Sequence, residues 1–261
     1  MAVSAAHKWE YDKAKTIFEK LADEPGPHRY RSEQWLKRIR RICAYNDTIT
    51  VQLGDTWELL ALRHFNDVSL AAKLAAYNNN SIIFFPTEGE TILIPVVHRE
   101  AALAWQAYED PKTAPLADLA SGISHMRRAL DIDPEYPDLQ YRLRIADRIY
   151  AERTTQLVVD SLTVTVDSLV NAQEYTEAIQ NLQQLQQMRP TPERSKQIRE
   201  LQQARRQMAP RWFDEGNRRF REGDLEGALK AWKKVYEADP SYRDVASRIE
   251  KAETMRETLE Q

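Results

Sequence analysis

The chain has 261 residues, more than one typical domain needs and enough for a second core. Its 37 Lys and Arg stand against 40 Asp and Glu, a formal charge of −3, so no global field draws it to nucleic acid or anionic lipid. Seven glycines amid abundant Leu, Ala, Gln, Glu and Arg favour helices, and the longest uncharged apolar run is far too short to cross a bilayer.

The opening MAVSAAHKWE lacks the positive start and apolar core of a secretory signal, which leaves either a cytoplasmic protein or one whose export segment lies outside this sequence. Residues 10 to 25, EYDKAKTIFEKLADEP, read as a helix stopped by Pro25. Residues 34 to 42 carry apolar side chains at three-to-four spacing and read as another. Cys43 follows; as the lone cysteine it forms no intrachain disulfide, and it is expected as a buried helix residue.

Residues 48 to 97 change character. Residues 48 to 53 alternate as a half-buried strand does, and Gly54 suits a tight turn. Asp55 and Thr56 are helix-cap residues before Trp57, Leu59, Leu60 and Leu62, a short apolar-faced helix. A second helix is expected from about 68 to 77, ended by Asn78, Asn79 and Asn80. Residues 91 to 94 give a strand able to pair with the first, and Pro95 marks its end.

The order Ile49-Thr50-Val51, Gly54-Asp55-Thr56, Leu60-Ala61, Tyr77-Asn78, Gly89-Glu90 and Ile92, Ile94, Pro95 resembles the LysM domain, a small βααβ module that holds N-acetylglucosamine-containing glycan of peptidoglycan. The resemblance implies a shallow sugar groove with one wall from Gly54, Asp55, Thr56 and Trp57 and the other from Asn78, Asn79, Asn80, Ile82 and Ile83. Backbone amides and short polar groups would meet N-acetyl groups while apolar atoms cover sugar faces. Three departures stand out: Trp57 where Leu is commoner, Glu90 for the usual Gln, and SIIFFP at 81 to 86 in place of a more polar loop. Trp57 is either a sugar platform or a core residue, and Phe84 and Phe85 could pack against a neighbouring helix.

Four segments outside this stretch can be superimposed: 10 to 25, 118 to 134, 174 to 190 and 224 to 240. Each opens with an acidic residue, has a small residue four positions later (Ala14, Gly122, Ala178, Ala228) and closes on proline (Pro25, Pro134, Pro190, Pro240). They resemble the second helix of a tetratricopeptide (TPR) repeat, in which the small residue admits the paired helix. The fourth copy, with Gly216, Phe220, Trp232 and Val235 around Ala228, matches best, and the first nearly lacks its leading helix. Further helical stretches follow at 139 to 150, 198 to 208 and 246 to 259, some of which could be the leading helix of the next unit.

The copies starting at 118, 174 and 224 are 56 and 50 residues apart, whereas 108 separate the first from the second. The excess is about one LysM in length, so the expected fold is mostly α: a TPR-like α-solenoid of helical hairpins with an inserted βααβ LysM domain. The expected domains are a first TPR-like unit at 1–45, the LysM domain at 46–98 and about three further units at 99–261. The joins at 43 to 47 and 96 to 100 are short, so the module should be held in a fixed orientation.

Little points to catalysis. His7, His28, His64, His98 and His125 are scattered without metal-ligand spacing, and nucleophile or nucleotide-binding motifs are absent. The pairs Asp131/Asp133 and Glu109/Asp110 adjoin prolines and read as solvated helix ends. Asn217, Arg218 and Arg221 fall near a place where TPR domains clamp acidic peptides, but Asp214, Glu215 and Glu222 intervene, which favours a solvated face. No enzyme, metal, cofactor or nucleic acid partner is expected. Two readings remain: a periplasmic or envelope adaptor joining peptidoglycan glycan to a protein partner on the TPR-like surface, or a scaffold subunit whose LysM fold packs on protein.

Overall fold

The computed structural model describes residues 1–107 and 110–259 and is mostly helical, with twelve α-helices and two strands among them. No helix of the described residues is long and apolar enough to cross a membrane. The chain divides into two compact units, Met1–Arg153 and Thr154–Gln261.

The first unit opens with α1 (Ala2–His7), α2 (Tyr11–Asp23) and α3 (His28–Ala44). Ala14 of α2 is fully buried, and Leu36, Ile39 and Ile42 form the inward stripe of α3. That stripe ends at Ile42, and Cys43, in the last turn, keeps its side chain at the surface; the expectation of a buried cysteine is corrected here. After Tyr45 the chain enters β1 (Asn46–Thr50), which pairs antiparallel with β2 (Thr91–Pro95) in the register Asn46↔Pro95 to Thr50↔Thr91. Between the strands lie α4 (Trp57–Phe65), one 3-10 turn (Val68–Leu70) and α5 (Ala71–Tyr77), so this stretch runs strand, helix, helix, strand.

Local chemistry sets these boundaries. Thr56 Oγ1 accepts from Leu59 N at 3.2 Å and starts α4, and Asn66 ends it in the left-handed region at φ 52°. Asn79, at φ 55°, does the same beyond α5. On β2, Ile92 and Ile94 face inward while Thr91 and Leu93 face out, the period-2 pattern of a sheet covered on one side.

β2 runs directly into α6 (Val96–Ala107), so residues 96 to 100 are the first helical turn and not a linker. Next come α7 (Leu116–Ile132), with Gly122 buried, and α8 (Leu139–Asn171), whose first turns belong to this unit. One apolar cluster extends from Ala2 through Trp57, Ile92 and Met126 to Ile149, so the βααβ stretch shares its core with the helices on both sides. Side chains bind it further: Asn79 donates to Asp12 at 2.8 Å, and Gln106 Nε2 donates to the Phe65 carbonyl at 2.7 Å.

Asp133 corrects the reading of Asp131/Asp133 as solvated helix ends. Its carboxylate is fully buried and accepts two hydrogen bonds from Arg38 Nε and one, at 2.6 Å, from Arg38 Nη2. Glu109 of the other pair lies outside the described residues; Asp110 is exposed and accepts from Lys112 N and Thr113 Oγ1 of its own turn.

The second unit contains the rest of α8, then α9 (Tyr175–Met188), α10 (Pro192–Arg221), α11 (Leu225–Ala238) and α12 (Val245–Leu259). The 56-residue step is α7 of 17 residues followed by α8 of 33, and the 50-residue step α9 of 14 followed by α10 of 30, each with its connecting turns. After Pro134 and after Pro190, the stretch that follows and the leading helix of the next copy are one continuous helix, α8 and α10, rather than separate hairpin arms. Thr191 caps α10 through Arg194 N, and Pro192 occupies its first turn, where its missing N–H is harmless. Two clusters hold the unit: Val159, Val166, Ala178, Ile179, Leu182 and Leu185, and Phe213, Ala228, Leu229, Trp232, Val235 and Val245.

Candidate functional site

The end of β1 and the start of β2 lie side by side. Val51 N donates to Glu90 O and Gly89 N to Val51 O, both at 2.9 Å, extending the ladder past the strands. The loops beyond these ends are therefore neighbours. Each turns on a glycine at positive φ, Gly54 at 88° and Gly89 at 80°, where a Cβ would be strained.

The residues of the first expected wall do different work. Asp55 is 7% exposed and accepts from Gln52 N at 2.9 Å and Arg63 Nη2 at 2.8 Å. The Gln52 amide first, then Arg63, hold its carboxyl below the usual range, so it stays ionised and locks the turn. Thr56 caps α4. Trp57 is 1% exposed and its Nε1 donates to Phe84 O at 2.8 Å, so its ring is core and a sugar cannot lie on it. Of the two roles open to Trp57, packing is the one observed; its indole N–H fastens one loop to the other.

The second wall is likewise mixed. Asn78 spends its side chain on backbone, donating to Leu74 O and Leu93 O at 3.0 Å and accepting from Leu93 N at 2.7 Å. It is a brace between α5 and β2, not a free amide for an N-acetyl group. Asn79 is tied to Asp12, and Asn80 Oδ1 accepts from Ser81 N at 2.8 Å. Ile82 and Ile83 are exposed, as are Phe84 and Phe85 at 66% and 74%, so the two phenylalanines do not pack on a neighbouring helix. The backbone beneath them is fixed by the Trp57 bond and a turn from Phe84 N to Ser81 O at 3.0 Å. Leu53 in the first loop is also exposed, at 85%, although the alternation over residues 48 to 53 made it look like a strand residue.

In the second unit, Arg218 and Arg219 converge on Glu215, with Arg218 Nη2 at 2.8 Å and Arg219 Nε at 2.7 Å. Asn217 Oδ1 accepts from Arg248 at 2.9 Å, and Arg221 Nε donates to Asn217 O at 3.3 Å. Arg218 and Asn217 are thus engaged within the chain, and the three residues form no open carboxylate clamp. A groove of about 710 Å³ lies elsewhere in this unit, lined by Tyr175, Thr176, Trp212, Lys230, Lys234 and residues around them. Lys234 is paired with Glu174 at 2.7 Å, while Lys230 has no ion-pair partner among the described residues.

His98 was one of five scattered histidines in the sequence. In the fold it is buried, stacked on Trp9 with ring centroids 4.0 Å apart, its Nε2 2.7 Å from the Tyr11 hydroxyl and its Nδ1 3.1 Å from that of Tyr136. Burial first, then the charges of Lys73 and Arg38, push its pKa down to about 3, so the ring is neutral at pH 7. Buried Glu100 meets His125 Nδ1 at 2.6 Å, with Arg99 and Arg128 nearby. No local motif signals either group, because Tyr11 and Tyr136 lie 87 and 38 residues from His98, and His125 lies 25 from Glu100.

No protein-family model and no curated protein matches the chain.

Proposed function

We propose that the protein is a bacterial cell-envelope adaptor. Residues 46–98 act as a LysM-like module that grips N-acetylglucosamine-containing glycan of peptidoglycan, set into a TPR-like stack of helices that holds a protein partner. The observation that carries this reading is the pair of adjoining glycine turns, with Leu53 exposed next to Gly54 in the chain and Ile82 and Ile83 exposed in the loop that leads to Gly89. A shallow apolar surface fringed by backbone amides suits the flat face of a sugar and the methyl of an N-acetyl group. The polar contacts would come from the backbone, since Asp55, Asn78 and Asn79 are already engaged. In the second unit, the groove beside Trp212 and Lys230 is the better candidate for the partner than Asn217, Arg218 and Arg221.

The exposed Phe84 and Phe85 favour a second reading, a scaffold subunit whose LysM-like fold docks on protein. Co-sedimentation with purified peptidoglycan sacculi separates the two. Wild type should pellet, and Leu53→Asp and Ile83→Asp, at exposed positions, should remain in the supernatant with unchanged melting. If wild type also stays in the supernatant, the glycan reading fails and the scaffold reading takes its place.

A further inference from the structure

A cavity of about 450 Å³ in the first unit lies away from the paired glycine turns, within the size range of small-ligand sites. Its floor is aromatic: Trp9, His98 and Tyr136, held by the stacking and hydrogen bonds already described, with Trp105 at the side. Trp9 and His98 are buried, at 5% and 6% exposure, and form an uncharged aromatic base, so the aromatic surface open to a ligand comes mainly from the half-buried Trp105 and Tyr136. The hydrogen bonds to two tyrosines on different elements fix the ring before anything binds.

The rim carries two opposite charges, and neither is neutralised by the other. Lys73 stands 5.8 Å from the centroid of the Trp9 ring and has no ion-pair partner among the described residues. Asp67 accepts from Ser69 N through Oδ1 at 2.9 Å, and among the described residues its Oδ2 has no bond and its carboxylate no cation partner. Asn66 lines the same cavity, held in the left-handed conformation; its amide nitrogen donates to Gln106 Oε1 at 2.9 Å, and no donor meets its side-chain oxygen among the described residues. An ammonium and a carboxylate that face one cavity without pairing complement a ligand that carries both charges in reverse.

We propose that this cavity binds a small zwitterion with an apolar body, an α-amino acid with an aromatic or branched side chain. Its carboxylate pairs with Lys73, its ammonium with Asp67 and the Asn66 oxygen, and its side chain lies against Trp105 and Tyr136, the half-buried aromatics of the lining. This goes beyond the adaptor reading and does not depend on it, since no residue of the paired-turn surface takes part.

The test is titration of the full chain with phenylalanine, N-acetylphenylalanine and phenylalaninamide, followed by calorimetry or by shifts of the tryptophan indole protons. Phenylalanine should saturate, and either blocked form should bind about tenfold or more weakly, each having lost one charged contact. Lys73→Met should abolish the preference for phenylalanine over its amide, and Asp67→Asn, which retains the oxygen that caps the 3-10 turn, the preference over the acetylated form. Melting curves that match wild type establish that both variants fold. Absence of saturation up to about 10 mM, or equal binding of all three compounds, would overturn the assignment.

Discussion

Gly216 sits in the interior of α10, where glycine costs about 1 kcal/mol relative to alanine, so Gly216→Ala would ordinarily stabilise the helix. Here the added Cβ would lie 2.5 Å from Cδ1 of Trp232 and closer still to its Nε1. That is roughly 1 Å inside ordinary carbon contact distance. The indole cannot swing aside, for it is 1% exposed and packed against Phe220, with ring centroids 5.5 Å apart. Its buried Nε1 has no hydrogen-bond partner among the described residues, consistent with a ring placed by packing rather than by polar contacts. Overpacking at such a site costs about 1–3 kcal/mol, which exceeds the gain in helix propensity. We expect a net loss of about 1–2 kcal/mol, lowering the melting temperature of a unit of this size by several degrees. Thermal unfolding followed by circular dichroism measures it. Trp232→Phe should absorb part of the penalty, so the double variant should lose less than the sum of the single ones. A Gly216→Ala protein that melts higher than wild type would refute the close approach of α10 and α11.

Four further outcomes are expected. Replacing Asp133 by Asn strands Arg38 at a partly buried site and should cost about 3–5 kcal/mol in urea unfolding; a loss under 1 kcal/mol would show that the pair is not structural. His98 has a folded pKa of about 3, below the unfolded value, so the unfolded chain binds more protons between about pH 6.5 and 3. Stability should be fully present above about pH 6.5 and decline by about 1.4 kcal/mol per unit below it, and a His98→Gln protein with the same slope would assign the effect elsewhere. Cys43 should react with a thiol reagent in the native protein, but more slowly than a free thiol at pH 7, because desolvation raises its pKa; full protection in native buffer would contradict its exposure. Ala228→Leu at a fully buried helix contact should destabilise by about 1–3 kcal/mol, and an unchanged melting curve would place that contact elsewhere.

What could be read from the residues was local. Gly54 foretold a positive-φ turn because few other residues tolerate one, and Thr56 a helix start because its hydroxyl satisfies an amide three residues on. The alternation at Ile92 and Ile94 and the small residues Ala14, Ala178 and Ala228 announced buried faces, since burial repeats with the period of the element. The mostly helical class followed from such signals. Where each polar side chain spends its hydrogen bonds could not be read this way. Asn78 looked like a free amide until β2 was placed against it, Asp133 like a solvated end until Arg38 arrived from 95 residues away, and Trp57 stood between platform and core until its indole N–H met the Phe84 carbonyl. Periodicity and capping are set by neighbours along the chain, so one sequence carries them. Desolvation and pairing depend on what else occupies the same space, and only the tertiary structure brings those groups together.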